Sequence, residues 1–225
     1  MRALFQLFYP SYCLACGNPL TVQEPIICLD CGHDLPVARI DYTTPNAIHK
    51  LLMGRIEVEQ AAFLFYFDKK SKVQQLMHNL KYRGNVKISG FMGSWLGEEI
   101  CSQGAFSDVD AVIPVPLHRS RLRKRGYNQV EGFGKAIAKN LQCRYEDKVL
   151  YRKRATRTQV FLGRTKRSSE ILQSFDIHPV NNLRGKHLLL VDDLITTGGT
   201  AEGCALALLK IPEIKISIAV MALTH

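Results

Sequence analysis

The chain has 225 residues, which corresponds to one ordinary domain or to a domain with a small additional module. Apolar residues make up 46% and charged residues 22% of the sequence, proportions that exclude a long disordered chain and indicate a globular core. The formal net charge is +10, and no apolar run has the length of a membrane-spanning helix, so we predict no transmembrane segment.

The positive charge is concentrated in one segment. Residues 119–167 contain 16 Lys and Arg residues against three acidic residues, whereas the rest of the chain has a slight acidic excess. Arginine predominates in this segment, and its planar guanidinium suits phosphate. We therefore expect the segment to face a polyanion, either a phosphate-rich ligand or nucleic acid; a solvated basic surface is the alternative.

The N-terminal sequence MRALFQLFYP combines one early positive charge with a short apolar stretch. It lacks the long apolar region and the small-residue cleavage site of a signal peptide. We expect it to form an amphipathic turn or two that packs on the domain. The predicted location is the cytoplasm, where thiols stay reduced.

Two CxxC pairs, Cys13 with Cys16 and Cys28 with Cys31, are separated by eleven residues. This spacing predicts one structural Zn²⁺ bound by four thiolates, because residues 1–40 are too few to hold a core without metal. Two disulfides are the alternative, and a reducing compartment argues against them. We expect the isolated cysteines to be small buried residues: Cys101, Cys143 and Cys204.

The rest of the sequence alternates between strand-like and helix-like patterns. This alternation predicts an α/β fold with a mainly parallel sheet flanked by helices, in a domain of residues 55–225. In chain order we predict a strand at 57–67, helices at 71–84 and 91–101, a strand at 109–115, a basic loop at 118–128, a helix at 130–141, a strand at 148–151, a mobile loop leading into a short helix at 152–170, a strand at 187–191, a helix at 201–209 and a strand at 214–222.

The most informative chemistry lies where the strand at 187–191 ends. Asp192 and Asp193 follow it, then a loop of small residues, then a helix. Ligands of open α/β sheets bind at the carboxyl ends of strands. A glycine- and threonine-rich turn at a helix N-terminus can bind one phosphate, and two carboxylates can accept hydrogen bonds from a vicinal diol. We therefore predict a ribose 5-phosphate site, with the phosphate bound by Thr196, Thr197, Gly198, Gly199 and Thr200.

The stretch VDDLITTGGT at 191–200 resembles the phosphoribosyl pyrophosphate (PRPP) motif of type I phosphoribosyltransferases. Nearly the whole chain resembles the ComF family of competence-linked, phosphoribosyltransferase-like proteins. The features that carry this second resemblance are the four-cysteine module, LKYRG at 80–84, PVPLHRSRLRKRGYNQ at 114–129, Arg157 with Gln159, and the PRPP motif.

The resemblance implies a type I phosphoribosyltransferase-like fold and a set of roles. Asp192 and Asp193 would be the catalytic residues that hold the ribose hydroxyls. Mg²⁺ would bridge these hydroxyls and the pyrophosphate of PRPP. The loop at 114–119 would bind pyrophosphate, with residues 152–170 forming a flexible hood. The further PRPP-binding residues would be Leu117, His118, Arg119 and Arg125.

Three functions stay open at this point. The first is a phosphoribosyltransferase that uses PRPP, releases pyrophosphate and acts on an unknown acceptor. The second is a single-stranded-DNA-handling accessory protein of natural transformation, with PRPP as a regulatory ligand and a DNA-uptake helicase component as a partner. The third is a sensor that binds PRPP and signals to another protein. The strong positive charge of residues 119–167 exceeds what one PRPP molecule needs, which keeps the second function open.

Overall fold

The computed structural model describes residues 10–153, 174–179 and 182–224. The predicted N-terminal turns and most of the predicted hood, including Arg157 and Gln159, lie outside these ranges. Within them, no helix is both long and apolar enough to cross a membrane.

Seven helices and seven strands are formed by the described residues. The helices are α1 (Leu29–Asp34), α2 (Ala47–Leu52), α3 (Lys72–Tyr82), α4 (Lys87–Ser102), α5 (Arg119–Arg125), α6 (Glu131–Asn140) and α7 (Gly199–Leu208). The strands are β1 (Ala61–Phe67), β2 (Ala111–Pro114), β3 (Arg144–Tyr145), β4 (Leu150–Arg152), β5 (Phe175–Ile177), β6 (His187–Ile195) and β7 (Lys215–Thr224).

Five strands form one parallel sheet in the order β1-β7-β6-β2-β3. β4 and β5 form a separate antiparallel pair. The predicted α/β class with a mainly parallel sheet is therefore confirmed. The two central strands, β6 and β7, consist almost entirely of buried residues, as expected for a parallel sheet covered on both faces.

Alternate residues of β6 face opposite sides of the sheet. Leu189 and Val191 pack into an apolar cluster with α3, α4 and α6. Leu188 and Leu190 pack into a second cluster with α2 and α7. We call these the α3 face and the α7 face. Asp192 and Asp193 continue the alternation, so they point toward different faces.

The N-terminal cysteine module packs on the α3 face. Cys13, Cys28 and Cys31 belong to the same apolar cluster as α3. The module is also joined to the open edge of the sheet, because the Ala38 amide donates to the Leu64 carbonyl at 2.8 Å and Val37 bridges Phe65. The boundary between residues 1–40 and 55–225 stays a prediction.

Several sequence expectations are wrong in detail. The basic loop predicted at 118–128 contains α5, which ends at Gly126 in a left-handed conformation. β6 extends to Ile195, so the acid pair lies within the strand rather than after it. β3 and β5 were not predicted, because two- and three-residue strands carry no readable alternation. Cys204 is buried as expected, but Cys101 is exposed and Cys143 only half-buried.

Candidate functional site

The four sulfur atoms of the cysteine module converge on one point. The Sγ atoms of Cys13, Cys16, Cys28 and Cys31 all lie within 4.8 Å of one another, and none forms a disulfide. Cys16 Sγ and Cys28 Sγ are 3.7 Å apart. A tetrahedral zinc with Zn–S bonds of about 2.3 Å has sulfur–sulfur edges of about 3.8 Å, so the cluster is compatible with structural zinc.

Backbone amides favour the thiolate form of one member of this cluster, Cys13. The Cys28 N–H donates to Cys13 Sγ at 3.3 Å. Burial alone would raise the pKa of Cys13, but backbone hydrogen bonds from Cys16, Cys28 and Ala15 lower it to about 6. A thiolate is the form that binds zinc.

The acid pair lies at the carboxyl end of β6. Asp192 and Asp193 are only 8% and 7% exposed. The Asp193 Oδ2 atom accepts a hydrogen bond from Gln129 Nε2 at 2.8 Å and lies 2.8 Å from Lys81 Nζ. The Gln129 side chain in turn accepts a hydrogen bond from Arg125. Asp193 is therefore held by groups of the α3 face.

Asp192 has a different environment. Its Oδ1 atom accepts a hydrogen bond from the Asp193 N–H at 2.8 Å. Burial and the neighbouring charge of Asp193 raise the pKa of Asp192 well above the usual range of a carboxyl group, and the charges of Lys81 and Arg152 only partly oppose this. An additional cation or hydroxyl donor would stabilise the ionised form.

The turn after β6 is held from the α7 face. Gly198 has a φ of 77°, which favours glycine, and a Cβ there would lie 2.8 Å from Leu52 Cδ2. Arg55 Nη1 donates to the Thr197 carbonyl at 2.8 Å, and Arg55 Nε donates to Glu202 Oε2 at 2.8 Å. Thr196 and Thr197 are exposed, and Gly199 and Thr200 are half-buried at the start of α7.

The loop after β2 lies beside the acid pair, because β2 is the neighbour of β6 in the sheet. The Val115 amide donates to the Val191 carbonyl at 2.9 Å, and Asn128 Nδ2 donates to the Val115 carbonyl at 3.1 Å. The His118 ring accepts a hydrogen bond from the Ser120 amide at 3.2 Å and so caps α5. Leu117 is half-buried, and Arg119 is exposed at the first position of α5.

Two arginines predicted to bind PRPP, Arg125 and Arg119, have different positions relative to the acid pair. Arg125 reaches the acid pair through Gln129. Arg119 instead lines a cavity of about 890 Å³ with Leu117, His118 and residues 146–153. The binding roles of these residues remain predictions.

Sequence reasoning missed four side chains that contact or surround the site: Lys81, Gln129, Arg55 and Arg152. Lys81 and Gln129 lay within the stretches that carried the ComF resemblance, but neither had been given a role. Arg55 follows α2 in a region without a motif. Arg152 lies near Asp192 and stacks over the Phe175 ring at 5.1 Å, and burial lowers its pKa.

Solved structures of adenine phosphoribosyltransferases are among the structural neighbours. One has a TM-score of 0.39 at 15% identity and covers 67% of this chain and 74% of that chain. The enzyme from Leishmania donovani has a TM-score of 0.40 at 11% identity and covers 84% of this chain and 86% of that chain.

No protein-family model matches the chain. Competence protein F of Haemophilus influenzae is 30% identical over 110 residues, 48% of each chain. The DNA utilization protein YhgH of Escherichia coli O6:H1 is 29% identical over 217 residues. YhgH of Salmonella typhi is 30% identical over 215 residues, which cover 91% of this chain and 93% of that protein. With this identity along nearly the whole of both chains, the protein belongs to the family of YhgH and competence protein F, the ComF family.

Proposed function

We propose that this phosphoribosyltransferase-like protein binds PRPP with Mg²⁺ at the carboxyl end of β6 and transfers the phosphoribosyl group to an acceptor. The observation that carries the proposal is the pair of buried carboxylates, Asp192 and Asp193, directly before a tight turn at the N-terminus of the ten-residue helix α7. Few ligands need both a diol acceptor and a phosphate cradle at this spacing, and a ribose 5-phosphate needs both.

The turn at Thr196–Thr200 would bind the 5-phosphate. The positive end of the α7 dipole and the free amides of its first turn favour a dianion. Gly198 allows the turn its left-handed conformation and its close packing on the Leu52 and Arg55 side chains. The exposed hydroxyls of Thr196 and Thr197 add donors for the phosphate oxygens.

The two carboxylates would accept hydrogen bonds from the ribose hydroxyls. In the reaction, the bond between the anomeric carbon and the pyrophosphate oxygen breaks, and a bond between that carbon and the acceptor nucleophile forms. Positive charge develops on the sugar ring, and carboxylates nearby stabilise it. Asp192 and Asp193 are also oxygen ligands of the kind Mg²⁺ prefers, and bound Mg²⁺ would supply charge neutralisation of the leaving pyrophosphate.

The pyrophosphate would lie between the loop at 114–119 and the acid pair. Leu117 and His118 offer backbone amides there, while Arg119 and Arg125 offer charge-assisted hydrogen bonds. The protein would thus act by positioning and charge complementarity. The reduced cysteine cluster agrees with a cytoplasmic location.

Calorimetric titration of PRPP with Mg²⁺ tests the site. We expect the double variant Asp192→Asn, Asp193→Asn to lose about 100-fold or more in affinity, because two charged acceptors are removed. The matched control is Asp110→Asn, which changes an aspartate before β2, beside the opposite end of β6. Unchanged affinity in the double variant, with circular dichroism showing an intact fold, would refute the assignment.

The second candidate function is the handling of single-stranded DNA, with a DNA-uptake helicase component as the partner. The observation that favours it is α5, a helix of sequence RSRLRKR without a buried residue. The names of the relatives, DNA utilization protein and competence protein, agree with this function. A solvated arginine-rich helix is a suitable surface for a phosphate backbone.

Fluorescence anisotropy with a labelled oligonucleotide tests this candidate. Affinity should fall steeply with salt, with a slope of about −0.7 per neutralised phosphate. Replacing Arg164, Lys166 and Arg167, which lie outside the described residues, by Ser should weaken DNA binding more than PRPP binding. If the triple variant instead loses PRPP affinity and wild-type DNA binding is weak at physiological salt, the basic segment serves PRPP alone.

A further inference from the structure

The last turn of α3 touches three separate parts of the molecule through three successive residues. Asn79 Nδ2 donates to the Leu14 carbonyl at 2.7 Å, inside the first cysteine pair. The Leu80 carbonyl accepts a hydrogen bond from the Tyr127 hydroxyl. Lys81 Nζ lies 2.8 Å from Asp193 Oδ2. Side chains two residues apart in a helix point about 200° apart, so Asn79 and Lys81 reach different sides, while Leu80 contributes its backbone carbonyl.

Most polar groups of Asn79 form hydrogen bonds within the protein. The residue is 4% exposed, and its side-chain Oδ1 accepts from Gln75 Nε2 at 3.4 Å. Its backbone carbonyl accepts from the Arg83 amide at 3.1 Å and the Asn85 amide at 3.3 Å, which closes the end of the helix. A buried amide with this many partners fixes the position of the turn, because any shift leaves a polar group unsatisfied.

On the other side, the Leu14 carbonyl belongs to the backbone segment that carries the Cys13 and Cys16 sulfurs. The Leu14 amide donates to the Ile26 carbonyl at 3.0 Å, so this segment is also tied to the chain that leads into the second cysteine pair. The position of the carbonyl therefore depends on how the four sulfurs are held together. We therefore expect removal of a metal from the cluster to displace the acceptor of Asn79.

We propose that the cysteine module controls ligand affinity at the acid pair, with Asn79 and Lys81 as the positioning residues that connect them. The module positions Asn79 through the Leu14 carbonyl, and Asn79 fixes the last turn of α3. This turn carries Lys81 and so places its ammonium against Asp193. Loss of zinc would release Lys81 and lower PRPP affinity. This inference rests on the proposed function for its ligand but not for its geometry.

The decisive variant is Asn79→Leu, which keeps the branched shape of the side chain and removes the hydrogen bond. We expect it to retain one zinc per chain by metal analysis and to bind PRPP with Mg²⁺ about fivefold or more weakly than wild type, the lower range of measured couplings between sites. The matched control is Lys72→Ala. Lys72 also joins α3 to the module, through Asp34 at 2.8 Å, but at the start of the helix. Because Lys72 also contacts the Cys31 side chain, the variant is checked for one zinc per chain. With zinc retained, it should leave PRPP affinity unchanged.

A chelation cycle separates coupling from simple damage. Removing zinc from the wild type should weaken PRPP binding by a similar factor, whereas removing zinc from Asn79→Leu should add nothing, because the connection is already broken. Lys81→Met should likewise bind weakly and become insensitive to chelation. If Asn79→Leu binds PRPP as wild type does, or if chelation weakens every variant equally, the inference is wrong.

A measurement that needs no PRPP can test the connection between the cysteine module and Lys81 independently of the proposed function. The Lys81 ammonium is largely buried against Asp193, so we expect slow exchange of its protons and an observable ¹⁵N–¹H signal. We expect this signal to disappear in Asn79→Leu and after chelation of the wild type, and to persist in Lys72→Ala. A signal that persists in Asn79→Leu overturns the coupling, whatever the ligand of the acid pair proves to be.

Discussion

Asp192 and Asp193 are adjacent in β6, yet their carboxyl groups have different surroundings on the two faces of the sheet. Asp193, on the α3 face, has the Lys81 ammonium and the Gln129 amide within 2.8 Å. Asp192, on the α7 face, accepts a hydrogen bond from the Asp193 amide, and its pKa is raised by burial and by the charge of Asp193. The protein therefore gives one carboxylate a cation and an amide donor, whereas burial and the neighbouring charge disfavour the ionised form of the other.

We therefore expect the two carboxylates to contribute differently to ligand binding. A carboxylate fixed by an ammonium and an amide is preorganised and needs no rearrangement when the ligand binds. A buried carboxylate without such a cation costs free energy, and a bound cation or diol would recover it. In the proposed function, the α3 face positions the acid pair, whereas the α7 face would supply the turn for the phosphate. The two faces can be perturbed one at a time.

The largest effect is expected from Cys28→Ser, which acts on the α3 face. It should abolish zinc binding and cost several kcal/mol, because structural zinc holds modules too small for a core of their own. Since Cys28 packs in the same cluster as α3, melting of the α3 face should be affected as well. Metal analysis and thermal melting check this. A fully folded wild-type protein without metal would contradict it.

The next effect is expected on the α7 face, from Gly198→Ala. The new Cβ would lie 2.8 Å from Leu52 Cδ2 and 3.2 Å from Arg55 Nη1, at a φ of 77° that side chains rarely adopt. We expect a loss of about 1–3 kcal/mol in the free energy of unfolding and a clear loss of PRPP affinity. Urea denaturation and calorimetry measure the two. The control is Gly104→Ala, which has a φ of 65° but nothing within 4 Å, so it tests backbone strain without the clash.

The sequence predicted the fold well because the signals for it are local. The apolar runs of β6 and β7 and the periodic faces of α3 and α6 are readable from a few neighbouring residues. The acid pair and its turn were identified for the same reason. By contrast, α5 has no apolar face, so its seven residues gave no helical period and were taken for a loop.

The supporting side chains could not be predicted, because their contacts connect distant parts of the chain. Gln129 and Asp193 are 64 residues apart, and Arg55 and Glu202 are 147 residues apart. No spacing rule joins such pairs until the sheet order is known. Lys81 is similar: the helix that carries it and the strand at 187–191 were both predicted, but not that the helix end and the strand end meet.

A smaller effect is expected from Asp192→Asn, and it depends on pH. Because burial and Asp193 raise the pKa of Asp192 in the folded state, the folded protein binds more protons than the unfolded chain above about pH 4. Stability contributed by the protonated carboxyl is thus lost as pH rises toward the folded pKa. The variant should melt higher than wild type at pH 8 and similarly at pH 4. Identical pH profiles of the two proteins would contradict the contrast between the two carboxylates.

The smallest effect concerns the Arg55–Glu202 pair behind the phosphate turn. Glu202 lies in the first turn of α7, where its charge would oppose a bound phosphate, and Arg55 neutralises it while holding the Thr197 carbonyl. In Glu202→Gln the positive charge of Arg55 is no longer balanced by a carboxylate, so it attracts the phosphate of the ligand. We expect affinity for ribose 5-phosphate to rise about twofold, whereas Arg55→Met should lower it by more, since that variant both frees the Glu202 charge and releases the turn.

A double-mutant cycle with Arg55→Met and Glu202→Gln measures the coupling between these two residues on the α7 face. The pair is partly exposed, with side chains 31% and 15% accessible, so its coupling in the free energy of unfolding should be about 1 kcal/mol or less. The coupling in ribose 5-phosphate affinity should be of similar size and should weaken with salt. If the two single variants change affinity additively, the two residues act independently, and Arg55 does not act on phosphate binding by neutralising Glu202.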